Sequence, residues 1–194
     1  MRNVLVAIAV AAVTVGAWAA QVRSRGASNA PIMLEVYSDY QCPACRTLYE
    51  NTLRPLMADY VDKGKVYLVH HEFPLQIHLY AMEAACYACA AHRVGKYEQV
   101  CDVLFRQQQT WSATGKVSDV ACSVLTPDEA KKVRVLAKDP TVVAEVQQDL
   151  QSGRNAKVDS TPTLILTHRH KQYRLPSAAS YSILRQFLDQ LLAN

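Results

Sequence analysis

Cys42 and Cys45, separated by Pro43-Ala44, are the residues of this 194-residue chain whose types and spacing speak most directly of chemistry. The thiolate is the reactive form of cysteine, and two cysteines one helical turn apart can cycle between dithiol and disulfide. The pair follows the apolar run Ile32-Met33-Leu34-Glu35-Val36-Tyr37 and precedes a helix-like segment from Arg46 to about Asp62. At such a strand-to-helix junction the first sulfur meets unpaired N–H groups and the positive end of a helix dipole, and both favour an anion. Sites of this kind lower a cysteine pKa from about 8.5 to roughly 3.5–7.5. The motif therefore reads as a redox dithiol. Its alternatives are a static disulfide or half a zinc site, which needs further ligands. A second Cys-x-x-Cys, Cys86-Tyr87-Ala88-Cys89, supplies these only nominally, because its sulfurs fall on different stripes of a helical pattern.

The elements that must position the pair follow from periodicity. Ile32 to Tyr37 is nearly continuous in apolar character, as expected of a strand covered on both faces. In the helix after the dithiol, Leu48, Leu53, Leu56, Met57 and Tyr60 recur at three- and four-residue spacing. Pro55 should kink that helix and Gly64 should stop it. Val66 to Glu72 reads as a second strand. From about His78 to Ser152 the signals are helical, with one stripe of Ala81, Ala84, Ala85, Ala88, Cys89 and His92. Another stripe comprises Tyr97, Val100, Cys101, Leu104 and Phe105. Thr126-Pro127-Asp128-Glu129 is a helix start with a capping box, and Asp139-Pro140 opens a helix through Leu150. Strands at Thr163 to Thr167 and Lys171 to Leu175 and a helix from about Ser180 to Leu192 close the chain.

The first 19 residues bear on where this chemistry takes place. Met1-Arg2 gives a positive end, Val4 to Ala20 is uncharged, and Ala17-Trp18-Ala19 offers a signal-peptidase pattern. Residues 1–19 are expected to be a cleaved signal peptide or an N-terminal membrane anchor, and either exports the domain. Residues 20–30 read as a flexible polar lead-in and 31–194 as one domain, with a helical insertion at about 76–156. Export lets six cysteines persist as disulfides. The formal charge is +4, and without residues 1–19 there are 20 basic and 17 acidic residues, a surface too weakly basic to argue for nucleic acid.

The order β-α-β, helical block, β-β-α, with Ser160-Thr161-Pro162-Thr163 before the next strand, resembles the thioredoxin fold. It is similar more narrowly to the DsbA-like thiol–disulfide oxidoreductases, an α/β class in which a helical domain interrupts the core between its second and third strands. The matching stretches are Tyr37 to Cys45, Glu72-Phe73-Pro74-Leu75 with His78, Gly95-Lys96-Tyr97 with Leu104-Phe105, and Thr161-Pro162-Thr163. The resemblance covers roughly residues 31 to 192. It implies that Cys42 attacks and Cys45 resolves a mixed disulfide. It also implies that Pro43, Ala44, Thr161 and Pro162 contact a substrate strand, with a cis bond at Thr161-Pro162. No cofactor and no metal are implied. The implied partners are unfolded or partly folded cysteine-containing proteins and a membrane redox protein that recycles the dithiol, in the periplasm or another exported compartment.

Thioredoxin-like proteins often place a buried acid six residues before the first active-site cysteine. Here that position is Val36, and Glu35 lies one place off, on the opposite face of a regular strand. Glu35 is a proton carrier only if the strand bulges; otherwise it reaches solvent or a basic group. Asp39 is a second candidate carrier or a loop-capping residue. Cys86, Cys89, Cys101 and Cys122 are candidates for structural disulfides. A hairpin turning near Gly95 would set Cys89 opposite Cys101 and leave Cys86 with Cys122, while Cys101 with Cys122 is also open. The competing functions are a periplasmic reductase or isomerase, a copper-delivering thioredoxin-like protein, and a non-catalytic interaction module. The Pro43-Ala44 dipeptide lacks a side-chain donor for the thiolate. The family's namesake has a histidine in place of Ala44, so equal oxidising power is not assumed.

Overall fold

The computed structural model describes residues 23–177 and 179–193; the stretch read as a signal peptide or anchor, residues 1–19, lies outside them. The sheet has five strands in the order β1-β3-β2-β4-β5. These are β1 (Arg23–Arg25), β2 (Ile32–Ser38), β3 (Val66–Glu72), β4 (Thr163–His168) and β5 (Lys171–Leu175). Strands β2 and β3 are parallel, whereas β1 on β3, β4 on β2 and β5 on β4 are antiparallel. Alternation along β2 sends Ile32, Leu34 and Val36 to one face, where they pack with Leu48, Leu53 and Leu56 of the following helix and Leu184 and Leu188 of the last one. Tyr37 goes to the other face, in a second core with Phe73, Leu150, Val158 and Ile165.

Between β2 and β3 the chain is helical from Pro43 to Val61. It begins as α1 (Pro43–Leu48), widens into a π-helical turn at Tyr49–Leu53, continues as α2 (Arg54–Leu56) and widens again at Met57–Val61. The expected kink at Pro55 is thus expressed as two flanking π-turns. Proline has no N–H for the carbonyl one turn back, and the wider turns accommodate the missing bond. Between β3 and β4 stand six helices: α3 (Ala81–His92), α4 (Tyr97–Arg106), α5 (Gln108–Thr114), α6 (Val117–Cys122), α7 (Pro127–Leu136) and α8 (Pro140–Asn155). Thr126 and Glu129 form the expected capping box on α7, and Asp139 caps α8. A final helix, α9 (Tyr181–Ala193), returns to the sheet. This is the arrangement that the resemblance implies. Among the described residues no helix is long and apolar enough to cross a membrane.

One correction concerns the lead-in. Arg23–Arg25, within the stretch read as flexible and without core residues, is strand β1, with Arg23 opposite His70. Arg-Ser-Arg carries no apolar signature; main-chain bonding to the sheet edge holds it. Arg23 is 4% exposed and its guanidinium lies against Glu72, Glu145 and Asp149.

Gly153 on α8 shows how closely that helix seats on the sheet. A Cβ there would overlap Phe73 Cε2 and lie 2.7 Å from Phe73 Cδ2 and 3.2 Å from Tyr37 Cδ1. Both rings are buried and meet edge to face. Gly153→Ala is therefore expected to destabilise the fold by about 1–3 kcal/mol through overpacking, read as a lower urea midpoint at unchanged slope. An unaltered midpoint would show that the rings move aside freely.

Candidate active site

Cys42 is the N-cap of α1, with φ −77° and ψ 120°, and Pro43 occupies the first turn, where its missing N–H costs nothing. Extended backbone at Cys42 carries its side chain back over the helix start. Its sulfur lies 3.5 Å from the Thr161 carbonyl, on the loop whose Thr161-Pro162 bond is cis. Pro43 and Ala44 are exposed beside it. Cys42 itself is 7% exposed and Cys45 1%, so the sulfur read as the nucleophile is nearly covered beside these two exposed residues. Both cysteines pack into the core of the helical insertion with Phe105 and Trp111. The dithiol thus sits where the core helix meets the insertion.

The two thiols are strongly unequal. A hydrogen bond from Cys45 is the largest influence on Cys42; burial opposes it, and the N–H of Cys45, the Thr161 side chain and the N–H of Ala44 add to it. The balance brings Cys42 down to about 5. Cys45 is pushed far up, first by burial and then by its bond to Cys42 and that sulfur's charge. Near neutral pH one sulfur is an anion and the other holds a proton beside it.

Asp39 secures the loop before the dithiol. Its carboxylate is fully covered, Oδ1 accepting the Gln41 N–H at 2.7 Å and Oδ2 the Leu75 N–H at 2.8 Å. His78 Nδ1 lies 2.7 Å from the same Oδ2. The Asp39 N–H is directed to Cys45 Sγ at 3.4 Å. Gln41 Oε1 accepts the Tyr80 N–H at 2.8 Å, so the loop from Leu75 to Tyr80 is tied down at both ends. Ile77 and Leu79, 84% and 78% exposed, project from it. Asp39 thus has the loop-capping geometry. Glu35 lies in a regular β2 register and bonds His71 Nε2 at 3.1 Å, while His71 Nδ1 meets Asp149 at 3.3 Å. Burial works against a charge on His71, yet its bonds to Asp149 and Glu35 raise it to about 9. No bulge turns Glu35 toward the dithiol face; it pairs with a basic group, as the regular alternation of the strand requires.

A different buried acid escapes sequence reading. Glu72 is 0% exposed, receives hydrogen bonds from Tyr97 and Tyr40 at 3.0 and 3.2 Å, and lies 3.9 Å from Arg23. Burial pushes its carboxyl up to about 8 despite Arg23. As the last residue of a strand it carries no signal of this. Gln108, one of three consecutive glutamines, is equally unmarked; its amide donates to the carbonyls of Tyr40 and Cys42 at 2.6 and 2.9 Å.

The four remaining cysteines correct the disulfide expectation. All six cysteines are free and buried. Helices α3 and α4 do form a hairpin, turned at Gly95 with φ 72°. However, Cys101 Sγ is engaged by the Tyr40 hydroxyl at 2.8 Å and Cys122 points to the Ala130 carbonyl at 4.0 Å. Cys86 and Cys89 are covered within the alanine-rich contact surface of α3. Helical position fixes the side on which a sulfur lies, not the partner it reaches. Among the described residues no three His, Cys, Asp or Glu side chains are grouped to hold a metal ion.

Comparison with known proteins follows this geometry. A family model described as Thioredoxin matches residues 19–190. A probable disulfide bond formation protein D of Bacillus anthracis is 23% identical over 151 residues, spanning 73% of this chain and 68% of that protein. The disulfide bond formation protein D of Bacillus subtilis strain 168 is 22% identical over 176 residues, 86% of this chain and 75% of that protein. The crystal structure of Wolbachia pipientis alpha-DsbA1 superposes with a TM-score of 0.74 at 19% identity, covering 89% of this chain and 92% of that one, a likeness of fold.

Proposed function

This chain belongs to the thioredoxin family and has its DsbA-like architecture, and from that premise we propose that it is an exported protein-disulfide oxidoreductase working as an oxidase through Cys42 and Cys45. In the oxidised enzyme a client thiolate attacks Cys42 Sγ. The Cys42–Cys45 bond breaks, and Cys45 leaves with the electron pair and takes up a proton. A second client thiolate then attacks the client sulfur of the mixed disulfide and releases Cys42 as a thiolate. Two electrons have passed from the client dithiol to the enzyme, and a membrane redox partner removes them. The clients are unfolded or partly folded proteins, held as an extended strand at Thr161 and Pro162 beside Pro43 and Ala44. Ile77 and Leu79 offer apolar surface to residues flanking the client cysteine.

The observation that carries the direction is the inequality of the two thiols. A depressed Cys42 stabilises the reduced enzyme and makes its sulfur a good leaving group, and both favour handing the disulfide on. Stability is linked in the same sense. A thiol whose pKa falls on folding, here from 9.0 to about 5, stabilises the reduced protein fully above its unfolded pKa. That contribution disappears as pH falls through about 5. The Tm of reduced protein, relative to oxidised, is therefore expected to drop as pH is lowered across that window. Alkylation of Cys42 should be half-maximal near pH 5. A rate that climbs only near pH 8.5, roughly that of an ordinary thiol, would remove the nucleophile. Equilibration with glutathione tests direction: a potential at or below thioredoxin's approximate −270 mV overturns the oxidase reading in favour of a reductase. Stoichiometric Cu(I) binding without exchange activity would favour metal delivery.

A further inference from the structure

We propose that Gln108 is a positioning residue for the dithiol, holding the backbone of Cys42 from the helical insertion so that the sulfur stays over the first turn of α1. This rests on the reading of Cys42 as the nucleophile. A helix N-cap is ordinarily fixed by its own side chain bonding to the first turn. No side-chain capping bond closes at Cys42, although the N–H groups of Ala44 and Cys45 face its sulfur and favour its charged form. Its main chain must then be held by other means. The Cys42 carbonyl accepts the first helical bond, from the Arg46 N–H at 3.2 Å, and its remaining lone pair accepts Gln108 Nε2 at 2.9 Å. The second hydrogen of the same amide goes to the Tyr40 carbonyl at 2.6 Å. One planar group thus grips the chain on both sides of Gln41, and the direction of the Cys42 carbonyl defines ψ at Cys42, here 120°. Turning that torsion would swing the first peptide N–H groups of α1 away from the sulfur they face.

The grip is firmly based. Gln108 is 4% exposed and stands at the start of α5, whose Trp111 is completely buried and donates its indole N–H to the Leu104 carbonyl at 2.7 Å. Its neighbours Gln107 and Gln109 are more exposed and make no such bonds to the loop. The insertion therefore acts on the main chain that carries the thiolate through two hydrogen bonds to carbonyls.

The test is the pH profile of Cys42 alkylation in the reduced, otherwise unaltered chain, for Gln108→Leu and Gln108→Glu. Leucine fills the space without donors. Glutamate keeps the shape and, when ionised, only accepts. Each is expected to raise the midpoint by about one unit, so that alkylation at pH 5 slows about fivefold. Gln108→Glu should shift it at least as far, because its charge opposes a nearby thiolate. A purely packing role would lower Tm and leave the midpoint where it was, and that result would overturn the proposal. Should either variant fail to fold, the unsubstituted protein decides by NMR. Both Gln108 side-chain N–H resonances should be slow to exchange and titrate with the Cys42 midpoint; fast exchange or pH-invariant signals would overturn it. A parent protein with an ordinary Cys42 midpoint would instead refute the nucleophile reading itself, which separates the two failures.

Discussion

Cys42→Ser is expected to reduce disulfide exchange with a protein substrate to background, a loss on the order of a thousandfold or more. Cys45→Ser, offered a client that carries a disulfide, is expected to accumulate covalent enzyme–client adducts that reducing agent releases. The asymmetry follows from the surroundings of the two sulfurs. Cys42 is the more exposed of the two, lies 3.5 Å from the Thr161 carbonyl and is lowered to about 5, first by its bond from Cys45. A serine there has no sulfur with which to form the mixed disulfide, and its hydroxyl does not ionise at working pH. Cys45 is 1% exposed and held protonated by burial, so a client cannot reach it directly. Its task is intramolecular: in the oxidised enzyme it leaves as the client thiolate attacks Cys42, and in the reverse direction it gives up its proton, attacks Cys42 Sγ of the mixed disulfide and releases the client thiolate. Without it the Cys42 thiolate still attacks a client disulfide, expelling one client thiolate, and the resulting adduct has no neighbouring thiol to resolve it. Non-reducing electrophoresis after acid quenching reads both outcomes. Adducts on Cys42→Ser and none on Cys45→Ser would reverse the assigned roles.

The parts of this site written in local sequence are those enforced by short-range physics. A continuous apolar run made β2 legible, and the Cys-x-x-Cys at its end fixed where the helix starts. The capping box at Thr126 and Glu129 is a contact three residues long, so it can be read without a fold. What escaped depends on tertiary partners. Strand β1 is held by main-chain bonds and by an arginine whose acidic partners lie in β3 and α8. Glu72 becomes a perturbed acid because complete burial in the folded chain outweighs Arg23 and the bonds from Tyr97 and Tyr40. Gln108 reaches carbonyls more than sixty positions away. Alternation left Glu35 open between a carrier in a bulged strand and the partner of a basic group; in the fold the β2 register is regular and Glu35 bonds His71. The cysteine pairing failed because a helical stripe gives azimuth and not distance.

Asp39→Ala is expected to destabilise the folded protein by about 3 kcal/mol and to impair exchange with proteins more than exchange with a small disulfide. The carboxylate is covered, and its two oxygens accept the N–H groups of Gln41 and Leu75 while facing His78. Alanine leaves these donors with nothing to replace the lost acceptor, and an unsatisfied buried donor costs roughly 1–3 kcal/mol. Two loops are joined through this one side chain. One leads into Cys42, and the other, from Leu75 to Tyr80, displays Ile77 and Leu79. Freed from Asp39, the second keeps its tie from Tyr80 to Gln41 but loses the one at Leu75. Its apolar side chains then no longer stand at a fixed place beside the dithiol. A client that needs this surface should show a raised KM, whereas a small aromatic disulfide, which needs only Cys42, should be affected less. Hydrogen exchange at Leu75 and Gln41 should accelerate together. Asn at position 39 retains one oxygen acceptor but turns a donor toward N–H groups, so it is expected to fall between parent and alanine. Should Asp39→Ala unfold within about 0.5 kcal/mol of the parent, the range of an ordinary surface change, the clamp is not what holds these loops. Should both substrates lose activity equally while stability is kept, Asp39 acts on the sulfur chemistry itself and the proton-carrier role is restored.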